Sequence, residues 1–228
     1  MKITKLGHCC LLIEEAGARI MTDPGMFPVL QNDVKDVDII LITHEHQDHF
    51  HLESLKIVLQ NNPKAQIFTN SGVGALLEKE GIAFELLADG DSQVVQGILI
   101  EGFGTTHATI YEEYGKVANT GYFIANRFFY PGDAFYDPKK PVEILALPVS
   151  GPWVKIADAV EYAKMLKPKI CFPVHDGMLK FTAPTFFTTS ADWGREVVAG
   201  KSLDLVATFE KSMFKSFPEL RLRIVDIV

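Results

Sequence analysis

The chain has 228 residues, 47% of them hydrophobic and 22% charged, and 22 Lys+Arg against 29 Asp+Glu give a formal net charge of −7. This excludes a disordered chain, which is poor in apolar residues and strongly charged. It also speaks against a nucleic-acid binder, which needs a basic stripe to displace counterions from phosphates. At about 100–200 residues per domain, the length reads as a single domain over 1–228. No apolar run approaches the roughly 18–20 residues of a membrane span, and the N-terminal stretch lacks a signal-peptide pattern. A cytoplasmic protein is expected. The cysteines are Cys9, Cys10 and Cys171. An odd number with two adjacent implies no disulfide framework, and buried thiols are expected.

Short strands are expected over 2–6, 9–14 and 18–22, separated by Gly7 and Gly17. Residues 37–42, VDIILI, apolar but for Asp38, fit a buried strand. Leu52, Leu55, Val58 and Leu59 lie at helical spacing, so a helix is expected over 52–60, stopped by Asn61-Asn62-Pro63. A strand over 65–69 precedes a helix over 73–80, with Asn70 or Ser71 as its cap and Gly81 at its end. Strands follow over 84–87, 94–103, 120–125, 128–131 and 142–147. A helix over 156–166 ends before Pro168, and 169–174 is the next strand. The tail ends in strand-like 220–228. β-rich stretches leading into strand–helix units predict helices on the outside of two sheets.

Four of the seven histidines fall in Thr43-His44-Glu45-His46-Gln47-Asp48-His49-Phe50-His51, directly after the buried strand. Loops at the C-terminal ends of buried strands are where open α/β sheets place their sites. Imidazole is the commonest protein ligand for transition metals, and carboxylate adds an anionic oxygen. His44 and His46 alternate along an extended turn and can share one ion. Asp48 and His49 turn toward a second, and His51 reads as the helix start. Further ligands must come from distant loops. His107 in Gly104-Thr105-Thr106-His107, Asp133 in Pro131-Gly132-Asp133 and His175 in Pro173-Val174-His175 each follow a strand.

The order HxHxDH, His, Gly-Asp, His resembles the metallo-β-lactamase superfamily of binuclear metal hydrolases. Within it, Leu6-Gly7-His8-Cys9-Cys10-Leu11, Met21-Thr22-Asp23-Pro24-Gly25 and Leu147-Pro148-Val149-Ser150-Gly151-Pro152-Trp153 are similar to the small single-domain branch. That branch includes ascorbate-phosphate lactonase and related metal-dependent hydrolases. The resemblance implies a four-layered αββα sandwich of the α/β class. It implies His44, His46 and His107 on one ion, Asp48, His49 and His175 on a second, and Asp133 bridging. Two divalent ions are therefore expected, Zn2+ first, with Mn2+ or Fe2+ as alternatives.

The expected reaction is attack of a metal-bridging hydroxide on a small ester, lactone or phosphodiester. Asp48, Asp133 and His8 are the catalytic candidates, His8 as proton donor or substrate contact. Thr43 and Asp23 are candidates for orienting the ligand imidazoles. Trp153, Lys155, Phe135 and Tyr136 are candidates for the pocket wall, with loop packing as the other reading. A binuclear iron redox enzyme is one alternative. The iron branch carries Glu at the position of His46, which disfavours it. A metal-binding, non-enzymatic sensor is the other alternative. The partner expected is a small-molecule substrate, with no membrane and no nucleic acid, and a homo-oligomer is left open.

Overall fold

The computed structural model describes residues 1–27, 30–112 and 116–177, together with the backbone of strands at 197–198, 205–214 and 217–227. β1 (Lys2–Gly7), β2 (Cys10–Glu15) and β3 (Ala18–Thr22) form an antiparallel meander. From β3 onward the sheet turns parallel through β4 (Ile39–Ile42), β5 (Gln66–Thr69) and β6 (Glu85–Leu86). Parallel neighbours need crossover connections, and α1 (Leu52–Asn61) and α2 (Ser71–Lys79) supply two of them. The His51 ring accepts a hydrogen bond from the Ser54 amide at the start of α1. Asn70 caps α2, its Oδ1 accepting from the Gly72 and Val73 amides at 3.0 and 3.2 Å.

The second sheet contains β7 (Ser92–Val95), β8 (Ile98–Phe103), β9 (Gly121–Ile124), β10 (Phe128–Tyr130), β11 (Ile144–Pro148) and β12 (Ile170–Val174). The stretch expected as one strand over 94–103 is a hairpin. Gln96 and Gly97 take φ of 49° and 78°, so the chain reverses between β7 and β8. Two consecutive positive φ values match the twist of tight hairpins. Ala125 and Asn126, both at 53°, do the same between β9 and β10. α3 (Ile156–Leu166) crosses from β11 to β12, which pair in parallel. It ends on Lys167 in the left-handed conformation, with Pro168 next. β13 (Val197–Val198) pairs with β1, and β14 (Leu205–Phe214) pairs with β15 (Phe217–Ile227). The strand expected over 220–228 falls within β15 as far as Ile227. Val228 and the remainder of the tail lie outside the described residues, as does the single-domain reading there.

Three apolar layers hold four layers of structure together. Leu11, Ile13, Ile20, Leu41 and Phe68 of the first sheet meet Ile100, Tyr122, Ile124, Phe128 and Tyr130 of the second. On the outer face of the first sheet, Leu12, Met21, Ile40 and Ile42 pack on Leu55 and Val58 of α1 and on Val73 and Leu77 of α2. On the outer face of the second, Phe123, Phe129, Leu145 and Leu147 pack on Ala159 and Tyr162 of α3. The alternation within VDIILI explains this. Ile39 and Leu41 face the other sheet while Ile40 and Ile42 face the helices. Each fully buried side chain of this size contributes about 1.5–3 kcal/mol. The result is the αββα sandwich. Among the described residues, no helix is long and apolar enough to cross a membrane.

Candidate metal centre

Strands β4, β8, β10 and β12 release their loops toward one edge of the sandwich, and those loops carry every expected ligand. After β4, the chain turns at His46, whose carbonyl accepts from the His49 and Phe50 amides at 2.9 and 2.7 Å. The His44, His46 and His107 rings form a triangle with centroid separations of 4.8, 5.0 and 4.7 Å, each pair nearly perpendicular. With Asp133 they form a set in which one ligand atom from each residue lies within 4.8 Å of all the others. A second such set is His8, Asp48, His49 and His175. Asp48 Oδ2 lies 3.1 Å from His8 Nε2 and 3.2 Å from His175 Nε2.

Asp133 faces both sets. Its Oδ2 is 3.2 Å from His107 Nε2 and 3.0 Å from His175 Nε2, and its Oδ1 is 3.1 Å from His49 Nε2. The seven residues expected as ligands are thus brought together, with His8 added to the second set. Both His8 nitrogens are engaged. Nδ1 accepts from the Gly177 amide at 2.9 Å, which leaves Nε2 to donate to Asp48.

A shell of buried groups fixes these side chains. Asp23 accepts from the Thr43 amide and hydroxyl, both at 2.7 Å, from His49 Nδ1 at 2.7 Å and from the Tyr130 hydroxyl at 2.5 Å. Thr43 Oγ1 lies 3.0 Å from His44 Nδ1. The orienting roles read for Thr43 and Asp23 thus have matching contacts, and their partners direct Nε2 of both imidazoles inward. Asn119 accepts from the Asp133 amide at 3.0 Å and donates to Pro131 O at 3.0 Å. Gly132 has φ +64°, and a Cβ there would collide with Asn119 Oδ1 and lie 2.9 Å from Thr43 Cβ. That close approach needs glycine.

The Trp153 indole donates to Asp133 Oδ2 at 2.9 Å, and Phe135 packs behind it with ring centroids 5.2 Å apart. Tyr136 and Lys155 are exposed. Asn119 and Tyr130 stand out in no local sequence motif, and Trp153 is expected only in the pocket wall. Each touches the centre through a contact far away in the chain, so local sequence carried no signal for it.

Burial and charge oppose one another here. Burial, and then the charge of His49, push the His44 imidazole well below its usual range. Burial, followed by His107, lowers His46. Against burial, the Asp133 carboxylate holds His49 well above the usual range and His175 at about 10. Asp133 itself, though buried, is held far below the usual carboxylate range by His49 and His175. Hydrogen bonds from His175 and His8 hold Asp48 down against its burial. Cys9, also buried, is drawn down to about 6 by the charges of His49, His8 and His175. The carboxylates thus stabilise positive charge between the sets.

His44 Nε2, His49 Nε2 and Asp133 Oδ1 are buried and make no hydrogen bond, the last two meeting only as an ion pair at 3.1 Å. Leaving a buried polar atom unsatisfied costs about 1–3 kcal/mol, and all three belong to the two sets. Imidazole nitrogens clustered around shared carboxylates, which become lone-pair donors once the imidazoles give up their protons, fit divalent cations. His46 and Asp48 are partly exposed while the other imidazoles are buried, so the centre opens on their side. Phe27, 45% exposed, stands edge-on to the His8 ring at 5.1 Å.

Residues 2–175 match the family model of the beta-lactamase superfamily domain. A Mycobacterium tuberculosis protein is 32% identical over 184 residues, covering 78% of this chain and 85% of its own. A metal-dependent hydrolase of Aeropyrum pernix is 28% identical over 211 residues, covering 77% and 82%. A candidate metal-dependent hydrolase from Parabacteroides distasonis, solved by crystallography, superposes with a TM-score of 0.66 at 26% identity, covering 78% and 83%.

Proposed function

Because the chain belongs to the beta-lactamase superfamily, we propose that it is a metal-dependent hydrolase of a small ester, lactone or phosphodiester, acting in the cytoplasm. The observation that carries this reading is the two adjacent buried imidazole–carboxylate sets, in which His44 Nε2 has no hydrogen-bond partner and His49 Nε2 meets Asp133 Oδ1 only as an ion pair at 3.1 Å. His44, His46 and His107 would hold one ion, Asp48, His49 and His175 would hold the other, and Asp133 would serve both. Mixed nitrogen and carboxylate donors suit zinc first, then manganese or ferrous iron. A divalent pair of this kind lowers the pKa of water and polarises a carbonyl or phosphoryl oxygen.

The chain's own groups prepare that chemistry. Asp23 and Thr43 select the Nε2-facing tautomers of His49 and His44. His8 acts through Asp48, which it holds by a hydrogen bond, and is a positioning residue. Trp153 fixes Asp133 from the side of α3. The opening at His46 and Asp48 admits the substrate, and Phe27 offers it an apolar surface.

The test is metal analysis of the purified protein, followed by assays on phosphodiesters, lactones and thioesters. Hydrolysis of one class that stops on chelation and returns with zinc or manganese is expected. Hydrolysis that survives complete removal of metal would overturn the reading.

A further inference from the structure

Cys9 has no role in the function proposed above. It follows His8 in the turn between β1 and β2, is 1% exposed and faces the layer between the sheets. Cys10 beside it faces the helix layer instead. Burial of a thiol is ordinary, so burial alone says nothing. The surroundings of Cys9 are not ordinary. With His49 and Asp133 it forms a third compact set, one ligand atom of each lying within 4.8 Å of the others.

A second observation is independent of the cysteine. His49 Nε2 and Asp133 Oδ1 are buried and face one another at 3.1 Å without forming a hydrogen bond. His49 Nδ1 is taken by Asp23 at 2.7 Å, so Nε2 is the nitrogen His49 can offer. This third set shares His49 with one of the larger sets and Asp133 with the other, which places it at their junction.

We propose that the Cys9 sulfur is a metal ligand at this junction and makes the centre select a thiophilic divalent ion, such as zinc or cobalt, over a hard one such as manganese. The proposal rests on the metal-dependent reading above and adds a selectivity to it. Thiolate is a soft donor that favours zinc, whereas carboxylate and water suit manganese and magnesium. Zinc–sulfur and zinc–nitrogen bonds of about 2.3 and 2.0 Å place donors around one ion at spacings compatible with so compact a set. On binding, the sulfur–metal bond replaces the S–H bond and the proton leaves to solvent.

The test is cobalt substitution of the purified protein. A sulfur-to-cobalt charge-transfer band in the near ultraviolet is expected in the wild type and in the Cys10→Ser, Cys171→Ser double variant. It should vanish in Cys9→Ser and in Cys9→Ala. In direct competition, the preference for zinc over manganese should fall by about tenfold or more in Cys9→Ser. Cobalt bound without the band, or a band that survives in Cys9→Ser, overturns the role of Cys9 and leaves the metal-dependent reading standing. A wild-type protein that binds none of cobalt, zinc and manganese overturns both. The double variant decides the matter even where the Cys9 substitutions do not fold, since a band lost with Cys10 and Cys171 comes from them.

Discussion

His49 Nδ1 lies 2.7 Å from Asp23 Oδ2, so a carboxylate at the end of one strand decides which nitrogen of a neighbouring loop faces the centre. The same carboxylate takes the Tyr130 hydroxyl from the opposite sheet. It therefore orients the ligand loop and ties the two sheets together beneath it.

Asp23→Asn places an amide N–H₂ where His49 and Tyr130 each need an acceptor. Zinc affinity should weaken by about 10–100-fold. The metal-free fold should lose about 1–3 kcal/mol, since a buried donor is left unsatisfied. Zinc titration and urea unfolding of the same preparation check both. Unchanged affinity would show that something other than Asp23 orients His49.

Asp133 stands between the two sets and offsets the repulsion of the ions they would hold. Two unit charges about 4 Å apart at an effective dielectric of 20 already interact by about 4 kcal/mol, and dications by more. Asp133→Ala should therefore bind close to one ion in place of two and lose most of its hydrolysis. Asp133→Asn, which keeps the shape and drops the charge, should bind an intermediate amount. Metal analysis paired with activity in the same samples reads the outcome, and two ions retained by both variants would remove Asp133 from the centre.

His46 is a partly exposed member of its set, and the apolar layers beneath do not depend on it. His46→Ala should lower hydrolysis by orders of magnitude while cooperative thermal unfolding persists. Loss of the cooperative transition would mean that the ions hold the fold itself.

Loading the centre should release protons at neutral pH. Asp133 raises His49 well above the usual imidazole range and His175 to about 10, and each must give up a proton to become a ligand. In the metal-free protein these charged imidazoles contribute stability that is full below the unfolded value of about 6.5. That contribution is lost as pH rises through the folded value, about 10 for His175. Protons and ions thus compete, and apparent zinc affinity should rise from about pH 5 to 8. Calorimetry in buffers of different ionisation enthalpy measures the release. Zinc uptake with no proton released at pH 7 would show both imidazoles neutral beforehand.

What was legible in the sequence was what is local. The Ile39–Ile42 strand of VDIILI is apolar throughout because both of its faces are covered, and the histidine loop follows it without a gap. The helix over 156–166 matches α3, because Pro168 punctuates it. The hairpin at Gln96-Gly97 escaped because the apolar run continues on both sides of a single glycine. At the centre, the hydrogen bonds of Tyr130, Asn119 and Trp153 escaped as well. Tyr130 reaches Asp23 across 107 positions, and nothing in strand composition distinguishes such a tyrosine from one that only fills the core. His8 was legible as a residue near the site, but only the Gly177 amide on its Nδ1 reveals that it serves Asp48.

The seven expected ligands come from loops after β4, β8, β10 and β12, and His8 and Cys9 join them from the turn after β1, so the sets draw on chain positions from 8 to 175. No partial structure holding one sheet alone assembles both sets, so the chain must complete its longest-range pairings before it can capture an ion tightly. Ion capture is therefore a late event in the life of each molecule. It slows the escape from the finished fold, as stabilisation absent from the transition state does, and leaves the speed of reaching that fold to the apolar strands.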